Sequence, residues 1–459
     1  MNRLLRQAFV AELAPSGRAS FGFGFWHSFD QSDWSRALDW LDVSGLALYF
    51  RRKLLNTDGV QLLPSSVQAR LARSHEQNCL RIECIRKESL ALHNLFENAG
   101  VEYAVLKGLA LVPDYCPDAT LRTQYDHDYL IRPGALARAE AALQQAGYRP
   151  KVSREGYHIT YIPPVPEGDS RAGPVGLYSA RLQRSVELHI RLWENTEERI
   201  DIPLGDDLMD RLRNRFGLGL EYPALCDEDG LMFQVLHAFR HILRNWCRLS
   251  VFYEISHFLH QRAADPAFWT RYQDRIANLR WVPEISTLVF NLTQSLFGSS
   301  TPPEYHPRVD PRFSAIAGAW IDLYGLPGAL ANFRGNKNGL FLHREFVKDR
   351  SEWAEVRRRR LFPFRRPHQL PSVLFNHGPS GSTRRLTQHL HSIRRLKFHA
   401  LSAIRYAWEY PRWQFHRRVP ILSGPTAEDS MTLDSGNRDS ELSLEPAVTH
   451  VHKTSLFRD

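Results

Sequence analysis

The sequence has no apolar run close to the roughly 20 residues that a membrane-spanning helix needs. Its five cysteines are scattered without a CxxC pair, which excludes the usual zinc and disulfide frameworks and is typical of reduced thiols in a cytoplasm. Residues 1–20 carry charges through their only apolar stretch, a poor match to a signal peptide. We therefore expect a cytoplasmic protein whose fold does not depend on disulfides or structural zinc.

The composition is that of a globular protein, but the charge is unevenly distributed. The 459 residues are 43% hydrophobic and 24% charged, with a formal net charge of +9. Residues 341–420 hold 18 Lys and Arg against 5 acids, so the rest of the chain is close to neutral. A charge-rich segment of this kind is most simply a solvated face, and no recognisable nucleic-acid module is present. The alternative is that residues 356–420 contact an anionic partner, either a membrane surface or a nucleic acid.

Helix and strand patterns follow each other along the chain and predict the fold. Apolar residues spaced by three and four predict a helix over 33–56 and a long one from Ser66 to a stop at Gly100. The predicted strands are "VEYAVLKG", "YDHDYLI", "GYHITYI" and "SVELHIRLW", with a helix in "RPGALARAEAALQQAGYRP" between the second and third. Further helices are predicted to about residue 300. The pattern predicts an α+β fold with a small mixed-sheet core flanked by N- and C-terminal helical segments.

The same pattern divides the chain into five segments. They are an N-terminal helical segment (1–100), the αβ core (101–195), a C-terminal helical domain (196–345), a basic linker with an amphipathic helix (346–422) and a tail (423–459). The tail is a polar mixture that predicts disorder.

Two aspartates stand on the segment "RTQYDHDYLI", which otherwise has the pattern of a buried strand. Asp126 and Asp128 alternate with His127 and Tyr129, so both carboxylates project from one face and His127 from the other. Two like charges this close repel and need a compensating partner. A divalent metal ion is one solution, and solvent at a strand edge is the other.

Further residues in the predicted core extend this pair into a constellation. Glu187, on a later strand, adds a third acid, and Lys107 and Gly108 end the strand before the aspartates. Phosphoryl and nucleotidyl transfer need such a set, because carboxylates hold Mg²⁺ ions that offset the charge of a triphosphate. Cations such as Lys107 and Arg122 can pair with phosphate oxygens, and a glycine lets the backbone approach them. Each cation is equally well explained as an ordinary surface residue.

Histidines near these positions admit two interpretations. His189 shares a strand face with Glu187, where it can orient that acid, contact phosphate or line the cleft. His237 and His241 are four apart on a predicted helix, a spacing that can bind metal. Because no third ligand stands nearby in the sequence, we expect them to be packed and hydrogen-bonded, with Glu254 as a buried polar partner.

Taken together, "VLKGLAL…YCPDATLRTQYDHDYLI" and "VELHIRL" resemble the uncharacterised nucleotidyltransferase family, a branch of the polymerase-β-like nucleotidyltransferase superfamily. Its pattern is LKG, an Arg before a DxD strand, an ElH-type strand and a later helix with spaced histidines. The four elements occur here in order, and the resemblance covers about residues 30–300.

The resemblance implies that residues 101–195 are a nucleotidyltransferase core and that a nucleoside triphosphate is the donor. It implies Mg²⁺, or Mn²⁺ in its place, as the cofactor, held by the acids Asp126, Asp128 and Glu187. By the same resemblance, nucleotide would be bound by Lys107, Gly108, Arg122 and His189. The acceptor hydroxyl stays open among sugar phosphates, metabolites, proteins and RNA ends. A catalytically inactive nucleotide-binding regulator or scaffold is the alternative.

Overall fold

A computed structural model describes residues 3–15, 24–57, 59–151, 158–164, 176–333, 336–363 and 381–422. The predicted disordered tail, 423–459, lies outside the described residues, as does much of the predicted linker.

The strands form one mixed sheet of seven. They are β1 (Tyr103–Val105), β2 (Asp126–Ile131), β3 (Arg149–Lys151), β4 (His158–Ile162), β5 (Ser185–His189), β6 (Leu212–Gly217) and β7 (Leu220–Leu225). Their order in the sheet is β3-β4-β5-β2-β1-β7-β6. Strands β2 and β5 are parallel neighbours, as are β1 and β7, and the other pairs are antiparallel. The four strands predicted from the sequence all occur.

The helices precede and follow this sheet. They are α1 (Arg3–Glu12), α2 (Gly24–His27), α3 (Gln31–Ser44), α4 (Ala47–Asn56), α5 (Ser65–Asn98), α6 (Leu136–Gln145), α7 (Asn195–Glu198), α8 (Asp227–Leu243), α9 (Leu249–Gln261), α10 (Pro266–Ile276), α11 (Val282–Phe297), α12 (Pro311–Trp320), α13 (Leu326–Leu330), α14 (Gly339–Phe346), α15 (Arg350–Leu361) and α16 (Gly381–Leu422). This arrangement confirms the predicted α+β fold class. None of the described helices has both the length and the apolar character needed to cross a bilayer.

The sheet receives two strands from a stretch that the sequence analysis placed among the helices. Strands β6 and β7 form a hairpin whose turn residues, Leu218 and Gly219, have φ of 52° and 73°. Such angles fit a tight two-residue hairpin turn. The signal was hidden because Arg residues punctuate β6 and Pro223 lies within β7.

Both faces of the sheet are covered, and the alternation along the strands decides which side chains each face receives. On one face, Tyr129 and Ile131 of β2 and Val186 and Leu188 of β5 pack in the same cluster as apolar residues of α5 and α6. On the other face, Leu130 belongs to the large core of the helical body, which includes α8 and α9. The acidic side chains of β2 and β5 alternate with the first set, so they project between the sheet and the helical body.

Candidate active site

The register of β2 and β5 places two of the predicted acids side by side. Asp128 is the direct partner of Glu187 in this parallel pair. His189 Nε2 lies 3.0 Å from Asp128 Oδ1 and 3.7 Å from Glu187 Oε2. On the neighbouring strand β4, His158 is the partner of His189, and the two rings stack with centroids 5.3 Å apart. The parallel strand pair therefore gathers acids and histidines from three strands at one point.

A buried lysine pairs with Asp128. Lys107 Nζ lies 2.7 Å from Asp128 Oδ1, and these side chains are only 13% and 1% exposed. Burial opposes the ionisation of Asp128, but the Lys107 ammonium and the hydrogen bond from His189 outweigh it and hold the pKa of this carboxyl well below its usual range. Burial likewise opposes the charge on Lys107, but the nearby acids, Asp128 first, raise its pKa. Asp128 is therefore ionised and Lys107 protonated at neutral pH.

Asp126 shares the cleft under different electrostatic conditions. Burial, and then the charge of Asp128, raise the pKa of Asp126 to about 7 despite the opposing effect of Lys107. Glu187 shows the opposite result, because a hydrogen bond from His189 lowers its pKa in spite of burial. Burial opposes the charge on His189, but its hydrogen bonds to Asp128 and Glu187 outweigh this and raise its pKa. The described cations therefore do not offset all the negative charge of the cluster, and the excess is felt at Asp126.

Three of these side chains are spaced to share a cation. Ligand atoms of Asp128, Glu187 and His189 all lie within 4.8 Å of one another. Asp128 Oδ2 is buried, and no hydrogen-bond donor from the described part of the chain reaches it. A buried carboxylate oxygen without a donor is costly, and a bound cation satisfies it. Asp126, also predicted to hold metal, lines the same cleft but stands outside this group of three.

Gly108 lies directly after Lys107 in a left-handed conformation that residues with a side chain rarely adopt. Its φ is 66°, and a Cβ at this position would lie 2.4–2.6 Å from side-chain atoms of Gln124. The Gln124 side chain in turn donates to the carbonyl of Asp126 across 2.7 Å. Gly108 therefore lets the turn after β1 pack against the segment that leads into the acidic strand.

Arg122 lines the cleft and is anchored by Glu254, for which we had predicted a different partner. Arg122 Nε donates to Glu254 Oε1 across 3.0 Å, and the hydroxyl of Tyr49 donates to the same oxygen across 3.2 Å. This corrects the expectation that Glu254 is the partner of His237 and His241. A carboxylate on α9 and a tyrosine on α4 are remote in the sequence from Arg122, and no local pattern connects them.

The two helix histidines form part of the cleft wall. The Nε2 atoms of His237 and His241 are 3.1 Å apart, and the rings meet edge to face. Burial lowers the pKa of both, to about 3 for His241. The pair is therefore neutral near pH 7, in agreement with the expectation of packed, hydrogen-bonded histidines.

The cleft has a volume of about 430 Å³ and a cationic rim that sequence analysis missed. Arg240, Arg244 and Arg248 join Lys107 and Arg122 along its walls. The guanidinium of Arg248 lies 4.4 Å from the centre of the Tyr125 ring and 5.9 Å from that of Trp246. The rim residues that sequence analysis did not single out are Tyr125, Arg240, Arg244, Trp246 and Arg248. The four-residue spacing of Arg240 and Arg244, beside the similarly spaced histidines, was the available signal.

His127 faces away from the acids, as its alternation in the strand predicts. Its Nε2 lies 3.0 Å from Glu88 Oε2, and Arg184 donates to both oxygens of the same carboxylate. Arg184, and then His127, lower the pKa of Glu88 to about 2 despite its partial burial. His127 therefore ties β2 to α5 from the side opposite the cleft.

The mixed sheet with flanking helices is consistent with a nucleotidyltransferase core, and comparison with known families adds a second line of evidence. The model of the uncharacterised nucleotidyltransferase family matches residues 30–298, more than half of the chain. The chain belongs to this family, which confirms the resemblance drawn from its motifs. No match was found among curated proteins or among solved structures.

Proposed function

We propose that this protein transfers a nucleoside monophosphate from a nucleoside triphosphate to an acceptor hydroxyl and releases pyrophosphate. The observation that carries the proposal is the acid cluster of β2 and β5, which opens onto a cleft lined with cations. A triphosphate brings several negative charges, which the arginines of the rim and Lys107 match. Family membership supports nucleotidyl transfer in general.

The residues present fit a divalent cation. Buried Asp128 Oδ2, which no described donor satisfies, and the close spacing of Asp128 to Glu187 are features of a cation site. Asp126, Asp128 and Glu187 would hold Mg²⁺, or Mn²⁺ in its place, and His189 is near enough to join them. When bound, the ion supplies positive charge that offsets the charge developing on the triphosphate.

Side chains of the cleft would bind the phosphates and accept the proton of the acceptor. Lys107 and Arg122 bind phosphate oxygens, and Gly108 keeps the backbone of the turn close to them. Arg122 is held in place for this role by its ion pair with Glu254. The acceptor oxygen attacks the α-phosphorus, the bond from that phosphorus to the bridging oxygen breaks, and pyrophosphate departs. The acceptor's proton passes to a carboxylate, for which Glu187 at the cleft wall is the candidate.

Transfer of label from two differently labelled triphosphates tests the proposal. Purified protein is incubated with cell extract, Mg²⁺ and each nucleotide carrying label at the α- or the γ-phosphate. Compared with extract alone, we expect the added protein to increase the entry of the α-label only into an acceptor, and this increase to be lost for Asp126→Asn with Asp128→Asn. The matched control is Asp39→Asn, an acid that is 69% exposed on α3.

Three outcomes contradict the proposal. Transfer of the γ-label that requires the added protein identifies a kinase. Transfer of the α-label by the double variant at the wild-type rate removes the acids from the chemistry. Nucleotide binding by the wild type without transfer of either label, from any of the four triphosphates, favours the inactive regulator.

A further inference from the structure

Helix α16 presents an apolar stripe that the rest of the described chain leaves exposed. Its members recur at helical spacings of three, four, seven and eleven residues, which place them on one side. Each is between 56% and 83% exposed. The stripe consists of Ile393, Leu396, Leu401, Ile404, Trp408 and Phe415. It runs for about 33 Å along the helix, at 1.5 Å per residue.

The opposite side of the same helix is fixed to the protein. Tyr406 and Trp413 are buried, and their rings stack on Phe341 of α14 with centroids 4.7 Å and 5.7 Å away. Arg417 forms a paired salt bridge with Glu345 across 2.7 and 3.1 Å. The helix is therefore anchored along one side, and its stripe is held outward.

The charge around the stripe is almost entirely positive. Residues 381–422 contain nine Lys and Arg and a single acid, Glu409. Glu409 is itself engaged by the hydroxyl of Tyr324 at 3.1 Å and by Arg412 at 3.6 Å. The exposed cations that accompany the stripe are Arg394, Lys397, Arg405, Arg412 and Arg418.

We propose that this stripe docks the protein on an anionic lipid bilayer, with α16 lying in the plane of the interface. Aliphatic and aromatic side chains flanked by cations match a surface that offers acyl chains beneath negative headgroups. Trp408, 83% exposed, has the amphipathic ring that favours this boundary. A nucleic acid would satisfy the cations but leave the aliphatic residues in water. A second copy of the helix would bring two positive surfaces together.

Vesicle binding of the full chain tests this proposal, independently of any nucleotidyl transfer. Co-sedimentation is measured with phosphatidylcholine vesicles that contain or lack phosphatidylglycerol. We expect binding to the anionic vesicles that weakens as salt is raised, and much weaker binding to phosphatidylcholine alone. Replacing three stripe residues, Ile404→Ser, Trp408→Ser and Phe415→Ser, should weaken binding roughly 100-fold. The control is Leu80→Ser with Phe216→Ser, which are 66% and 72% exposed elsewhere.

A variant that removes two cations measures the electrostatic contribution to vesicle binding. Arg394→Gln with Lys397→Gln should weaken binding to anionic vesicles roughly 30-fold. The control is Arg36→Gln with Lys87→Gln, cations that are 58% and 70% exposed on other helices. Circular dichroism checks that every variant is folded. The proposal is overturned if the stripe variant binds vesicles like the wild type. It is also overturned if the wild type binds duplex DNA but no vesicles, or self-associates through the stripe without binding vesicles.

Discussion

The pair of Lys107 with Asp128 allows the acid cluster to be tested by stability alone. Lys107→Met removes the ammonium that lies 2.7 Å from Asp128 Oδ1 and leaves a carboxylate that is 1% exposed without its main counter-charge. Breaking a buried ion pair from one side costs about 3–5 kcal/mol. His189 still contacts the same oxygen, so we expect the low end, about 3 kcal/mol, in chelator-treated protein.

A divalent cation should then replace the missing charge. In the wild type, the Lys107 ammonium contacts the Asp128 carboxylate and competes with the cation for it. In Lys107→Met this competitor is gone. Mg²⁺ at about 100 times its Kd should add about 2.7 kcal/mol to the free energy of unfolding. At any given Mg²⁺ concentration the gain should be larger for the variant than for the wild type, and the difference should grow as Mg²⁺ is raised until it reaches a constant value.

Urea denaturation with and without Mg²⁺ measures both effects. Lys87→Met is the control, because that lysine is 70% exposed and lies 3.8 Å from Glu83, a surface pair that contributes less than about 1 kcal/mol. A loss for Lys107→Met no greater than for this control would refute the buried pair. Equal stabilisation of the variant and the wild type by Mg²⁺ at every concentration would refute competition for the site.

Further predictions concern residues around the cluster. Arg122→Met should lower the free energy of unfolding by about 3 kcal/mol because it strands a buried carboxylate, and adding Glu254→Leu should recover part of that loss in a double-mutant cycle. Gly108→Ala should lower the free energy of unfolding by about 1–2 kcal/mol from its φ of 66° alone, and by more because its Cβ would meet Gln124. Gly134→Ala is the control, because a Cβ there lies in open space and should leave stability in thermal denaturation unchanged. Because the folded pKa of Glu88 is lowered to about 2, its contribution to stability is complete above its unfolded pKa of about 4.3 and lost as pH falls towards 2. Acid titration of Glu88→Gln should therefore show a shallower loss of stability in that window than the wild type, and an identical slope would contradict the assignment.

Local spacing carried most of what sequence could predict about the site. Alternation along β2 placed Asp126 and Asp128 on one face and His127 on the other, because strand geometry fixes this whatever the partner strands are. The parallel neighbour that pairs Asp128 with Glu187 is a property of the sheet order, and only the motif order hinted at it.

Contacts between remote segments were beyond prediction. Glu254 reaches Arg122 from 132 positions away, and no periodicity encodes such a pair. The hairpin of β6 and β7 was missed because arginines interrupt the apolar pattern of β6 and Pro223 lies within β7. Trp246 and Arg248 enter the cleft from the turn after α8, where local patterns predict no structure.

We propose that the acids of β2 and β5 hold a divalent cation for triphosphate chemistry. Titration of Mn²⁺ followed by electron paramagnetic resonance, with a non-hydrolysable triphosphate present, measures this directly. We predict saturable binding by the wild type and by Asp39→Asn, and binding more than about tenfold weaker in Asp128→Asn. Equal affinity of the wild type and Asp128→Asn for Mn²⁺ would show that Asp128 does not hold the cation.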